Sequence, residues 1–364
     1  MTTGAQYLTP LRCGPLVRRV DRTSAVIWVE LAEPFEVEVE LEEARAIGAG
    51  RLEVARAWPV QVHGSYYAWV PFRFLAPGAW YAYRVFGRTG DGSRRKLWPD
   101  VRLSAVPLPS AFRTLPFTSL ESLRLAFGSC RAGFPPGDPY GLREGPDALA
   151  ALARRTFLDW EHREWRWPHL LLLTGDTIYA DTISKQMEEA FKRPSLRGDG
   201  FKTATTFAQF AAIYREAWTS DPAVRWLLSC IPSLMIFDDH EVIDDWNISR
   251  EWVRARRRSP RWVRRLADAL LAYWLYQGAG NVAPREWRRD ERMRLLSPRF
   301  ALTAPDLTSR LTRLFQSYVR GFRRASWGFS LDAAGTRFVV GDTRMSRQLT
   351  GDRHLMDRPA WAEF

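Results

Sequence analysis

Cysteine is scarce, lysine is almost missing, and no apolar run is long. The 364 residues contain three cysteines, Cys13, Cys130 and Cys230. They are odd in number, far apart and without CxxC spacing, which argues against a disulfide framework and against a structural zinc site. Each thiol has to be accounted for alone. The longest apolar stretches, HLLLLTG and LLAYWLY, fall well short of the ~20 residues that span a bilayer, so no membrane span is expected. The N-terminus, MTTGAQYLTPLRCGP, has no basic segment leading into an apolar core. No secretory leader of the usual kind is therefore expected, and the default location is the cytoplasm.

What is present describes a soluble globular protein: 46% hydrophobic and 26% charged residues, in a chain long enough for two or three domains. The net charge of +12 is regional. Residues 250 to 299 hold 14 arginines against five carboxylates, nine of the twelve excess charges. The run REWVRARRRSPRWVRR (250–265) suits a phosphate-rich partner such as a nucleic acid, bound as substrate or as a non-specific ligand, with Trp252 and Trp262 among its arginines. It equally suits a solvated helical face, and no recognised nucleic-acid module accompanies it.

Residues 1–105 read as all-β. AVIWVEL, FEVEVELEEA, YYAWVPFRF and AWYAYRVFG are short runs rich in β-branched and aromatic residues, separated by turn signals. Their spacing predicts a sandwich, and the alternation in EVEVELE (36–42) predicts a strand with an acidic face in water. LAPGAWYAYRV resembles the E-to-F stretch of fibronectin type III and related immunoglobulin-like modules. Residues 106–121, rich in proline and serine, read as a linker, with the boundary near Ser122 and a second domain over 122–364. There the pattern changes: LRLAFGSC (123–130), HLLLLTGD (169–176) and PSLMIFDDH (232–240) read as buried strands between helical stretches. This alternation predicts a sheet with helices on its faces. WGFSLDAAGTRFVVGDTR reads as a hairpin.

Each of the three buried strands ends in a polar cluster: Ser129-Cys130-Arg131, TGDTIYAD, and DDHEVIDDW. Loops beyond the carboxyl ends of strands in layered α/β folds converge on one site, so the clusters should meet. Asp238, Asp239, His240, Glu241, Asp244 and Asp245 fall within eight residues. Their mutual repulsion would raise their pKa values unless a cation or the arginine-rich segment neutralised them. Oxygen ligands with one imidazole suit Ca²⁺, Mn²⁺, Fe or Zn²⁺.

FGSCR, TGDTIYAD, MIFDDHEVIDDWN, YWLYQGAGN and FVVGDTR, in this order and spacing, resemble the PhoD-like branch of the calcineurin-type metallophosphatases. That resemblance implies an immunoglobulin/fibronectin III-like sandwich followed by a layered α/β/β/α metallophosphatase domain. It implies hydrolysis of phosphate mono- or diesters by metal-activated water, most simply with Fe and Ca²⁺, Mn²⁺ or Zn²⁺ being alternatives. By resemblance Cys130 is a thiolate ligand to iron, Asp176 the carboxylate bridging the metals and Tyr179 a phenolate ligand. Asp244 stands at a further ligand position, Asp239 belongs to the hallmark DDHE, and His240 lies at the site edge, either supporting the metal ligands from behind or contacting phosphate. Arg131 suits a phosphate clamp, because a guanidinium fork matches phosphate oxygens.

The family pattern continues with a late strand ending in a GDVH-like motif. Here GDRH (351–354) follows polar MSRQLT and reads as a connecting loop, so the metal site is expected to be incomplete and a sheet edge exposed. Three functions follow as expectations: a phosphoesterase, a shortened relative acting as a binding module, and a nucleic-acid-binding protein using residues 250–265.

Overall fold

The computed structural model of the protein describes residues 9–44, 50–103, 106–115, 123–296, 303–325, 327–349, 351 and 354–362. The first part of the chain supplies strands β1 (Leu11–Val20), β2 (Ser24–Leu31), β3 (Glu36–Ala44), β4 (Leu52–Ala57), β5 (Val60–Val62), β6 (Ser65–Arg73), β7 (Trp80–Arg88), β8 (Arg94–Trp98) and β9 (Ala111–Arg113). They form two antiparallel sheets, ordered β1-β2-β6-β5 and β4-β3-β7-β8, with β9 added on β7. Ile27, Val29, Val37, Val39, Leu41, Val70 and Val85 fill the space between them. Alternation of these residues along the strands is what drives the two sheets together.

Two local expectations change. The acidic face of β3 is only partly left to water: Glu42 is exposed, but Glu38 is buried beneath Arg56, Arg88 and Arg94, and Arg94 also reaches Glu40. Three guanidinium groups replace the solvent that a carboxylate needs. Within the stretch expected as a linker, residues 111–113 pair with β7 and bury Phe112 completely. Ser122 lies outside the described residues.

The rest of the chain builds a parallel sheet of β10 (Leu125–Gly128), β11 (Leu170–Thr174) and β12 (Ser233–Ile236), in that order, and a hairpin of β13 (Phe329–Ala333) and β14 (Thr336–Val340). The expected strands are there, but β10 is only half-buried and Phe127 is exposed. No described strand pairs with its outer edge. The helices flanking the sheet start where their caps place them. Asp147 caps α1 (Ala148–Leu158), and Thr206 with Gln209 forms a capping box on α2 (Phe207–Thr219). Asp221 before Pro222 caps α3 (Pro222–Leu228). Ser249 caps α4 (Arg250–Arg257), and Ser259 before Pro260 caps α5 (Pro260–Tyr276). No described helix is long and apolar enough to cross a membrane.

The main core does not stop at the first part of the chain. The outer face of the β1-β2-β6-β5 sheet presents Leu16, Val26, Trp28, Tyr67 and Trp69 to the helices of the second part. Trp28 stands edge-on to Trp218 at 6.3 Å and 5.4 Å from Tyr276, ring centre to centre. Beneath them Arg215, itself partly exposed, makes an ion pair with the buried Glu30 (2.6 Å), to which Tyr276 Oη also donates at 2.7 Å. Cys13 and Cys230 are packed without exposure, and burial pushes both thiols up to about 12. Both act as small apolar side chains.

Candidate metal centre

Parallel register brings the carboxyl ends of β10, β11 and β12 to one edge, and backbone bonds tie the loops beyond them together. Cys130 N donates to Gly175 O at 3.2 Å and Arg131 N to Asp176 O at 2.8 Å. From the third loop His240 N donates to Asp176 Oδ1 at 3.1 Å, and Ala180 N returns a bond to His240 O at 2.8 Å. Gly175 is required where these loops touch. Its φ is +118°, and a Cβ there would lie 2.6 Å from Asp238 Cβ. Cys130, Asp176, Asp245 and Asn247 all adopt positive φ, a conformation costly for non-glycine residues that collects at functional sites.

Two groups of donors lie close enough to share an ion, every ligand atom within 4.8 Å of the others: Asp176, Asp239 and His240, and Asp239, Asp244 and Asp245. They have Asp239 in common, whereas the resemblance gave the bridging role to Asp176. Cys130 lies beside the first group, with Sγ 3.5 Å from Asp176 Oδ2. Tyr179 stacks on the His240 ring at 4.1 Å.

The electrostatics follow from the crowding of these donors. Burial, then the charges of Asp238 and Asp239, raise the Asp176 carboxyl. A bond from Ser129 acts to lower the Cys130 thiol, but burial and Asp176 outweigh it and leave the thiol raised. Tyr179 is raised by burial and by Asp176. Bound cations reverse such shifts. His240 moves the other way: burial alone would lower it, but the hydrogen bond and charge of Asp181 push it up to about 9. Its Nδ1 lies 2.8 Å from Asp181 Oδ1, which fixes the ring and leaves Nε2 facing Asp244 Oδ1 at 3.8 Å.

Two residues without an assigned role in the sequence hold this arrangement. The buried Glu241 carboxylate accepts five hydrogen bonds, Oε2 from Asp176 N (3.1 Å) and Asp238 N (2.8 Å). Its Oε1 accepts from Thr177 N (2.8 Å), Thr177 Oγ1 (2.9 Å) and Gln277 Nε2 (3.1 Å). It clamps the loop after β11 to the loop after β12. Burial and the nearby Asp176 charge push it up to about 7 in spite of those donors. Arg344, from the FVVGDTR motif, lies 2.7 Å from Asp238 Oδ1 and 3.2 Å from Asp239 Oδ2. Asp342 holds its backbone N at 2.9 Å.

Arg131 does not reach the centre as a clamp. Its guanidinium grips Asp147, at 2.8 Å and 3.0 Å, and donates to Ala217 O at 2.8 Å, joining the first loop to the cap of α1. In GDRH, Asp352 and Arg353 lie outside the described residues, and the backbone of His354 bonds Gln348. Along α4, Arg250, Arg254, Arg256 and Arg257 are exposed. Of the aromatics among them, Trp262 is buried edge-on against the half-buried Trp252 at 4.9 Å.

Comparison with known proteins bears on the same elements. Residues 8–107 match a family model described as a domain of unknown function (DUF7800), and residues 151–297 match the PhoD-like phosphatase model. No curated protein matches the sequence. A solved structure of PhoD superposes with a TM-score of 0.54 at 17% identity, covering 94% of this chain and 54% of that one. A purple acid phosphatase, PPD1 from yellow lupin (Lupinus luteus) seeds, gives 0.40 at 13% identity, covering 64% and 36%. The chain spans about half the length of the PhoD structure. The chain thus shares its fold with part of the PhoD structure. More narrowly, residues 151–297 are a PhoD-like phosphatase domain, which contains Asp176, Tyr179, Asp239, His240 and Asp244 but not Cys130 or Arg344.

Proposed function

We propose that this chain is a metal-dependent phosphoesterase, hydrolysing a phosphate mono- or diester at the loops beyond β10, β11 and β12. The observation that carries this reading is the meeting of Asp176, Asp239 and His240, with donor atoms within 4.8 Å of one another, in strand-end loops of a PhoD-like domain. Carboxylates, one imidazole, a thiol and a phenol form a donor set that fits Fe with Ca²⁺, and also Mn²⁺ or Zn²⁺. Asp176, Asp239 and Asp244 would hold the ions, with Cys130 and Tyr179 beside them. Bound there, the ions supply Lewis-acid polarisation of phosphoryl oxygens and a water acidic enough to attack near neutral pH.

The protein's own groups do the rest. Asp181 keeps a proton on His240 Nδ1 and aims Nε2 outward, where a protonated ring can hold a phosphate oxygen or protonate a leaving group. Arg344 and Glu241 orient Asp238, Asp239 and the Asp176 backbone, while Arg131 fixes the first loop from outside. The N-terminal sheets support an immunoglobulin/fibronectin III-like reading through their order: β1, β2 and β6 adjacent in one sheet, β4, β3, β7 and β8 in the other. The test is hydrolysis of aryl phosphate mono- and diesters by the purified chain with Fe, Ca²⁺ or Mn²⁺ supplied. Turnover is expected to fall at least about 100-fold in Asp176→Asn. Absence of turnover with every metal would remove the reading.

A further inference from the structure

Buried arginines on β1 lead from the N-terminal sheets toward the candidate metal centre: Arg19 Nη1 donates to Asn281 O at 3.2 Å, and Arg18 reaches further. Arg18 lies on β1, far from the site in sequence, and has no exposed surface. Its Nη1 donates to Ser233 Oγ at 3.1 Å, and its Nη2 to Gln277 O at 2.6 Å and Asn281 Oδ1 at 3.3 Å. Each acceptor governs an element that carries a candidate ligand. Ser233 opens β12. Asn281 lies along that strand like a pairing partner, Nδ2 donating to Met235 O at 2.6 Å and Oδ1 accepting from Met235 N at 3.0 Å. β12 leads directly into Asp238, Asp239 and His240. Gln277, held by its carbonyl, extends Nε2 to Thr177 Oγ1 at 2.6 Å and to Glu241 Oε1 at 3.1 Å, and Glu241 holds the backbones of Asp176, Thr177 and Asp238.

This arrangement is a costly way to achieve packing alone. The acceptors of the Arg18 cation are neutral oxygens, and burying a charge in such surroundings carries a desolvation penalty that an apolar side chain avoids. Two atoms of the chain of contacts, Arg18 Nε and Gln277 Oε1, are buried with no hydrogen-bond partner. Gly280 is shaped to the arginine, since a Cβ there would fall 2.0 Å from Arg18 Nε. A residue that costs stability and leads into the ligand loops is better explained by what it holds in place.

We propose that Arg18, acting through Gln277 and Asn281, is a positioning residue that couples the N-terminal sheets to the metal-ligand loops. The proposal rests on the metal-dependent reading above, and its test separates the two. Mn²⁺ binding to the full chain is measured by titration calorimetry for wild type, Arg18→Met, Arg18→Lys, Gln277→Leu and Arg225→Met, with the melting temperature of each metal-free protein alongside. Arg225 is the control: it is equally buried and also holds β1, through Gly14 O at 2.9 Å and Leu11 O at 3.4 Å, but does not contact Gln277 or Asn281. Arg18→Met and Gln277→Leu are expected to weaken Mn²⁺ binding by about 10- to 100-fold, as loss of outer support does in metal sites. Arg225→Met is expected to lower the melting temperature and leave binding within about twofold. Where Arg18→Met fails to fold, Gln277→Leu and Arg18→Lys carry the comparison. Unchanged binding in them, or equal weakening in Arg225→Met, overturns the positioning role while leaving the metal reading standing. A wild-type chain that binds no Mn²⁺, Fe or Ca²⁺ overturns the metal reading itself.

Discussion

Glu241 takes five donors on one buried carboxylate, so its neutral isostere is a sharp probe of the centre. Glu241→Gln turns one acceptor into a donor facing N–H groups, and is expected to cost about 3 kcal/mol in urea unfolding of the metal-free protein. A loss below ~0.5 kcal/mol would mean the clamp is dispensable. At this scale much of the site was legible. The motifs bring Asp176, Tyr179, Asp239, His240 and Asp244 to neighbouring strand ends because loops beyond the carboxyl ends of parallel strands converge, and the donor atoms of Asp176, Asp239 and His240 do meet within 4.8 Å. Glu241 and Arg344 were not assigned, although both lie inside quoted motifs. Their work is done on backbone N–H groups and neighbouring carboxylates, and which ones they face depends on the fold. Arg131 misled for the same reason. Its position beside Cys130 suits a phosphate, but the cap of α1 delivers Asp147 to it first.

Among the elements, α2 carries a carboxylate whose titration should be visible in stability. Burial pushes Glu216 up to about 7, despite a bond from Ser184 and with help from the charge of Asp138. A carboxyl whose folded pKa exceeds its unfolded value binds more protons in the folded state, so stability falls as pH rises from about 4.3 through about 7. Wild type is expected to lose on the order of 2 kcal/mol from this group between pH 5 and pH 8, and Glu216→Gln to lose correspondingly less. Denaturant curves at the two pH values decide it; parallel losses in both proteins would refute the assignment. Strands and helices with clear periodicity were legible as elements. β9 was not, because three residues in a proline-rich stretch carry no period and gain their strand only from the free edge of β7. The acidic face of β3 was partly misread because alternation reveals two faces and not what covers each: here arginines cover part of the one expected to meet water.

For the molecule as a whole, the sheets of the first hundred residues and the phosphatase-type fold share one core. Trp28 belongs to both parts, touching Trp218 and Tyr276. Trp28→Ala is expected to cost about 3–5 kcal/mol and to lower a single unfolding transition rather than split it into two. Two separate transitions, with only the first displaced, would show that the parts fold independently. This shared core was hidden in the sequence, where Arg18, Glu30, Trp28 of β2 and Trp69 of β6 gave no sign of a sheet covered on both faces. The most direct test of the account is anomalous diffraction from crystals of the full chain grown with Mn²⁺. The account predicts density among the side chains of Asp176, Asp239 and Asp244 that disappears in Asp176→Asn; Mn²⁺ bound elsewhere, or nowhere, with these carboxylates ordered and ion-free, would contradict it.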